Sequence, residues 1–196
     1  RLSRPQQLMA AEREIIEEAY AGDIIGVFDP GIFSIGDTLC APGKKFRFDP
    51  IPTFAPEHFQ RVRPLDTMKR KQFLKGMEQI AQEGGIQIFK TPYSGMEEVI
   101  VGVVGTLQFD VLDYRLKNEY GVDLYVEGLP YEYLRWVEHD GDEPLRADDL
   151  TLPNDAMLVE DYKGNQLLLF ASLWSINWTA ERNQQLTLSE FGGAKF

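Results

Sequence analysis

The chain carries one stiff break, Asp49-Pro50-Ile51-Pro52, and the hydrophobic pattern differs on its two sides. Two prolines this close together remove two backbone donors and fix φ twice, so the stretch cannot lie inside a sheet or a helix. A chain divided there makes two folding units, expected at residues 1–52 and 53–196. With 43% hydrophobic and 12% aromatic residues among 196, there is enough apolar material for real cores.

Before the break the pattern is strands and turns. Ala19-Tyr20 closes an extended run, and Ala21-Gly22-Asp23 makes a turn. Ile24-Ile25-Gly26-Val27-Phe28 follows as a buried strand, and Asp29-Pro30-Gly31 turns the chain again. Ile32-Phe33-Ser34-Ile35 then leads into Gly36-Asp37-Thr38, and Phe46-Arg47-Phe48 ends the unit as a strand. About four strands are too few to close a barrel, which needs about five or six. An open edge of this kind invites pairing unless other chain covers it. These residues therefore read as part of a β-barrel.

After the break helices enter. Residues 54–63 read as extended. Asp66 or Thr67 caps a helix whose apolar positions Phe73, Leu74, Met77, Ile80 and Ala81 share one face, and Gly84-Gly85 stops it. Ile86-Gln87-Ile88-Phe89 alternates as a strand, and residues 98–104 form another. Gly105-Thr106 opens a second helix that turns Leu107, Val111, Leu112 and Leu116 inward and ends at Gly121. Residues 123–127 give the fourth strand, and 131–138 continue as extended chain. The order β-α-β-β-α-β predicts a ferredoxin-like split βαβ domain. Polar residues 139–155 lead into a hairpin of 157–162 and 166–170 around Lys163-Gly164-Asn165, then a short helix with Trp174 and Trp178. The expected class is α+β: a partial barrel, then a ferredoxin-like domain with a hairpin and short-helix extension.

Few residues offer chemistry. No phosphate loop of the form Gly-x-x-x-x-Gly-Lys-Ser/Thr occurs, nor an Asn-Lys-x-Asp that would read guanine. Gly102-Val103-Val104-Gly105 matches the Gly-x-x-Gly clamp of an RNA-binding module, but it lies where a strand enters a helix and lacks basic neighbours, so it reads as a packing turn. Cys40, the single cysteine, allows no internal disulfide and no zinc ribbon; it reads as a small core residue rather than a nucleophile paired with His58 or His139. Asp140, Asp142, Glu143, Asp148 and Asp149 miss the EF-hand spacing, with Leu145 where glycine belongs and Thr151 where glutamate belongs. No catalytic, cofactor or metal residue is expected. No apolar run approaches the roughly 20 residues that span a bilayer, so the cytoplasm fits best, and a monomer is expected.

Charge is unevenly spread along this chain of net −11. Residues 1–52 carry net −2, residues 53–90 net +3 and residues 91–196 net −12. A short basic band on an acidic protein points to one directed contact with a polyanion. Arg61 and Arg63 alternate along an extended strand and share a side. Lys69, Arg70 and Lys71 crowd the first turn of a helix, with Lys75 one turn on. Cations there oppose the helix dipole, a local conflict that a contact with RNA phosphates or with an acidic protein face would explain. The other reading is an ordinary solvated helix end. The candidate contact residues are Arg61, Arg63, Lys69, Arg70, Lys71 and Lys75.

Longer motifs narrow the reading. The turns Ala21-Gly22-Asp23-Ile24 and Gly36-Asp37-Thr38-Leu39 occur in the order found in the second domain of translational GTPases. Downstream stand Phe54-Ala55-Pro56-Glu57-His58-Phe59, Lys71-Gln72-Phe73-Leu74-Lys75-Gly76 and Glu83-Gly84-Gly85. Val101-Gly102-Val103-Val104-Gly105-Thr106-Leu107-Gln108-Phe109-Asp110-Val111-Leu112 and Arg115-Leu116-Lys117 complete the set. From Leu8 to Val137, and more loosely beyond, the chain resembles the bacterial class-II peptide chain release factor 3 family. Elongation factor G, a relative, usually has Gly-Glu-Leu-His-Leu-Glu where this chain has Gly105-Thr106-Leu107-Gln108-Phe109-Asp110.

The resemblance implies a ribosome-dependent GTPase that speeds departure of class-I release factors in translation termination. It implies that the barrel faces small-subunit RNA and that the third domain lies near a small-subunit protein by the decoding centre. The chain would then begin in mid-barrel, with the GTPase domain, its GTP or GDP and its magnesium upstream of Arg1, and with no hydrolytic activity of its own. A translocase-like or ribosomal-protection relative is the near alternative. A self-contained ferredoxin-like enzyme or ligand-binding domain is the distant one; it needs a pocket of converging polar groups.

Overall fold

The computed structural model describes residues 6–9, 12–16, 18–28, 33, 36–48, 54–92, 98–141 and 143–190. The Asp29-Pro30-Gly31 turn, the Asp49-Pro50-Ile51-Pro52 connector, Asp142 and all of the Ile32-to-Ile35 run except Phe33 lie outside the described residues. The chain separates into two compact units, Arg1–Arg47 and Phe48–Phe196.

In the first unit β1 (Gln6–Met9) and β2 (Glu12–Ile15) form an antiparallel hairpin with Gln6 opposite Ile15. The expected turn at Ala21-Gly22 forms. Asp23 N–H donates to the Tyr20 carbonyl at 3.0 Å, Tyr20 N–H donates to Asp23 Oδ2 at 2.7 Å, and Gly22 takes the positive φ of 103° that the turn demands. Three expectations fail here. Residues 24–28 make a single bridge at Gly26 instead of a buried strand, and Ile24 and Phe28 are exposed. Phe46-Arg47-Phe48 is not a strand, and both phenylalanines are exposed. Cys40 is exposed rather than in a core, its Sγ donating to the Lys44 carbonyl at 3.0 Å. An apolar strand is buried only where a second layer covers it, and the described residues of this unit include one two-stranded ladder.

The second unit runs β3 (His58–Pro64), α1 (Arg70–Gln82), β4 (Gln87–Lys90), β5 (Val99–Val103), α2 (Leu107–Tyr120) and β6 (Leu124–Leu129). These strands lie in the order β4-β5-β3-β6, all antiparallel, which is the expected ferredoxin-like arrangement. There follow β7 (Tyr133–Glu138), β8 (Ala156–Asp161), β9 (Gln166–Phe170), α3 (Leu173–Arg182) and β10 (Thr187–Ser189). They extend the same sheet to eight strands, β10-β7-β9-β8-β4-β5-β3-β6.

Alternation along the strands sorts the apolar residues into three cores. Val62, Ile88, Val99, Val101 and Val103 meet Phe73, Met77 and Ile80 of α1 and Leu112 and Leu116 of α2. On the opposite face Phe59, Phe89 and Ile100 meet Leu134, Val159, Leu167 and Leu169, so the second half of the sheet folds back over the first. The bend falls at β4–β8, where the ladder has two pairs, Phe89 with Asp161 and Lys90 with Glu160. Leu158, Leu168 and Phe170 then face a third core with Ile176 of α3.

The helix α2 corrects one expectation. Leu112 and Leu116 are buried, but Leu107 is 76% and Val111 56% exposed. Gln108 sets the orientation of the first turn: its Oε1 accepts from the Val104 and Gly105 amides, both at 3.0 Å, and its Nε2 donates to the Gly85 carbonyl at 2.6 Å. Phe109, Leu112, Leu116 and Tyr120 therefore make the inward face.

Candidate functional site

The basic band is built on β3, the turn after it and α1. Val62 packs on the helix side of the sheet and Phe59 on the other, so Arg61 and Arg63 project with Phe59, away from α1 and α2. They share a side, as alternation requires. β6 lies alongside, with Glu127 opposite Arg61 and Tyr125 opposite Arg63. Arg61 Nη1 bonds Glu127 Oε2 at 2.9 Å and its Nε lies 3.7 Å from Glu98 Oε2. Arg63 Nε reaches Glu98 at 3.9 Å, and its guanidinium sits 4.3 Å above the Tyr125 ring. These are cross-strand pairs of the kind that hold a sheet in register. Tyr131, buried on the same side of the sheet, has its hydroxyl pKa pushed up by burial, with the Arg61 charge opposing the rise.

The turn after β3 is a short 3-10 segment, Thr67–Lys69, capped by Asp66, whose Oδ1 accepts from Met68 N–H at 2.9 Å. Lys69 Nζ donates to the carbonyl of Gly121, the left-handed residue (φ 65°) that ends α2. That carbonyl is one a helix end leaves without an internal partner. Arg70 opens α1 and is exposed. Lys71 and Lys75 are exposed one turn apart, on the side of α1 away from buried Phe73, Met77 and Ile80. Among the described residues neither lysine has an ion-pair partner. Three groups therefore result: Arg61 and Arg63 on one face of the sheet, Lys69 in a helix joint, and Arg70, Lys71 and Lys75 on α1.

The other candidates are scattered. His58 opens β3, and His139 follows β7 and accepts from Gly141 N–H at 3.1 Å. Asp149 accepts from Arg146 N–H at 3.1 Å within a 3-10 turn, Ala147–Asp149. Among the described residues no group of three or more His, Cys, Asp or Glu could hold a metal ion, and no helix is long and apolar enough to cross a membrane.

Contacts between the helices involve residues that charge and periodicity did not single out. Arg115 of α2 holds the Glu83 carboxylate through both terminal nitrogens and Glu119 through Nε at 2.9 Å. At Gly76 of α1 a Cβ would stand 2.6 Å from Leu116 Cδ2 and 3.0 Å from the Tyr120 ring, so the two helices meet where a side chain is missing. At Gly102 a Cβ would stand 2.7 Å from the Pro56 ring.

A sequence model described as "Class II release factor RF3, C-terminal domain" matches residues 48–180. The chain belongs to the class II release factor RF3 family. Residues 1–42 match "Elongation factor G domain 2". The peptide chain release factor 3 of Symbiobacterium thermophilum is 51% identical over 186 residues, 95% of this chain and 34% of that protein. Those of Gloeobacter violaceus and Listeria welshimeri are each 42% identical over 190 residues, with 35% of either protein covered. The chain thus spans about a third of the length of the relatives it matches. The runs that carry the RF3 likeness contain Gly76, Glu83, Gly85, Gly102, Gln108 and Arg115, all of them at the joints just described.

Proposed function

We propose that this chain is the ribosome-docking portion of a class II release factor, a ribosome-dependent GTPase that promotes dissociation of class-I release factors during translation termination. GTP or GDP and magnesium belong, on this reading, to a GTPase domain elsewhere in such a factor. We assign residues 1–52 to part of its second domain and residues 53–196 to its third. The matches over 1–42 and 48–180 and the separation into two units support that assignment.

The observation that carries the docking role is on α1. Lys71 and Lys75 stand exposed on a helix locked to its neighbour by Arg115, Gly76 and Lys69. Cations on a rigid helix start suit RNA phosphates and give binding that falls steeply with salt. Arg61 and Arg63 contribute less on this reading, because Glu98 and Glu127 already meet their charge. The test is ribosome binding by the full-length factor across a salt series. Lys71→Glu with Lys75→Glu is expected to weaken binding about tenfold and flatten its salt slope. Unchanged affinity overturns the assignment.

A further inference from the structure

A second surface of the Phe48–Phe196 unit has the opposite sign. An open groove of about 1180 Å³ runs between the residues leading into β3, the start of α2, the β6–β7 connection and the β7 side of the sheet. Its walls carry Glu57, Asp110 and Glu132, all exposed and without ion-pair partners among the described residues. The one lysine or arginine in its lining, Arg135, is bound to Glu190 at 2.7 Å. Apolar groups stand in water along the same walls: Phe54 is 76% and Leu173 56% exposed. The wall is held in place, since Gln87 Nε2 donates to the Phe54 carbonyl at 2.8 Å and Glu57 N–H donates to the Val103 carbonyl at 3.0 Å.

We propose that this groove docks an extended, lysine- or arginine-bearing segment of a protein partner. Carboxylates along a concave apolar wall focus a negative potential that attracts cations and repels nucleic acid. Exposed Phe54 and Leu173 gain by being covered, and an exposed aromatic ring can also attract a cation. The occupant that satisfies both is a polypeptide alternating basic with apolar side chains. The inference does not rest on the ribosome reading, which uses the cations of α1, and either can fail without the other.

The experiment measures binding of a labelled peptide alternating lysine with leucine to the whole 196-residue chain by fluorescence anisotropy. Two triple variants remove the same charge: Glu57→Gln, Asp110→Asn, Glu132→Gln in the groove, and Glu143→Gln, Asp148→Asn, Glu181→Gln outside it. The groove triple is expected to lose about tenfold in affinity, the outside triple less than about twofold, and Phe54→Ala about fivefold. Equal losses in the two triples, or no measurable peptide binding to the parent chain, overturn the proposal. So does a single-stranded oligoribonucleotide that binds more tightly and is weakened by Phe54→Ala. Thermal melts confirm folding; if the groove triple fails to fold, Phe54→Ala, which removes no charge, decides, and unchanged affinity there overturns the proposal.

Discussion

Arg115 and Glu83 tie the two helices of the ferredoxin-like half together across 32 positions of sequence, with two parallel bonds from one guanidinium to one carboxylate. The hydrogen bond from Arg115 holds the Glu83 carboxyl below the usual carboxylate range, burial pulls the other way, and the Arg115 charge reinforces the bond. A carboxyl with a depressed folded-state pKa stabilises the fold above its unfolded pKa, and the contribution is lost as pH falls through the folded value. The stability gap between the parent and Glu83→Gln is therefore expected to be present at neutral pH and to close in acid, measured by urea unfolding across a pH series. Arg115→Lys, which cannot make the paired bonds, should cost about 0.5–1 kcal/mol at neutral pH, a modest figure because Glu83 is half exposed. A gap that widens in acid would contradict this.

Gly76→Ala pits helix propensity against packing. Alanine favours a helix interior by about 1 kcal/mol over glycine. Here its methyl would stand 2.6 Å from Leu116 Cδ2 and 3.0 Å from the Tyr120 ring, and Leu116 is fully buried. Net destabilisation of about 1–3 kcal/mol is expected in chemical denaturation, and a stabilised variant would show that α1 and α2 are not in close contact.

Gln108→Glu keeps the acceptor for the Val104 and Gly105 amides but removes the donor to the Gly85 carbonyl. Gln108→Leu removes both functions. The expected order of stability is parent, then Glu, then Leu, with steps of about 1 kcal/mol each in equilibrium unfolding. Leucine equal to the parent would mean that water replaces the whole network.

Lys69→Met keeps the aliphatic stem and removes the charge at the carbonyl of Gly121. A loss of about 0.5 kcal/mol is expected. Hydrogen exchange near residues 117–121 should rise first, because the last turn of α2 loses its tie. Uniform exchange changes throughout the unit would place the effect elsewhere.

Elements whose signal is local were legible. Gly121 as a helix end, the Phe73-Met77-Ile80 stripe and the hairpin around Lys163-Gly164-Asn165 all follow from residues within a turn or two of one another, whereas Asp66 caps the 3-10 turn Thr67–Lys69 that precedes α1 and not α1 itself. What failed depends on distant partners. The face of α2 is set by the bond from Gln108 to Gly85, which outweighs Leu107 and Val111. The three-residue strand β10 exists because β7 offers it an edge. Counting cations found the basic band but missed Glu98, Glu127 and Tyr125, which register alone places beside Arg61 and Arg63. Strand β6 does show Tyr125 and Glu127 alternating, and pairing it with β3 would have exposed the neutralisation.

The core around Phe59, Phe89 and Ile100 has one wall from each half of the sheet. Cutting the chain after Pro130 would leave a complete ferredoxin-like topology with a greasy back, and a four-stranded remnant with the same defect. The two halves are thus expected to melt together, in a single unfolding transition.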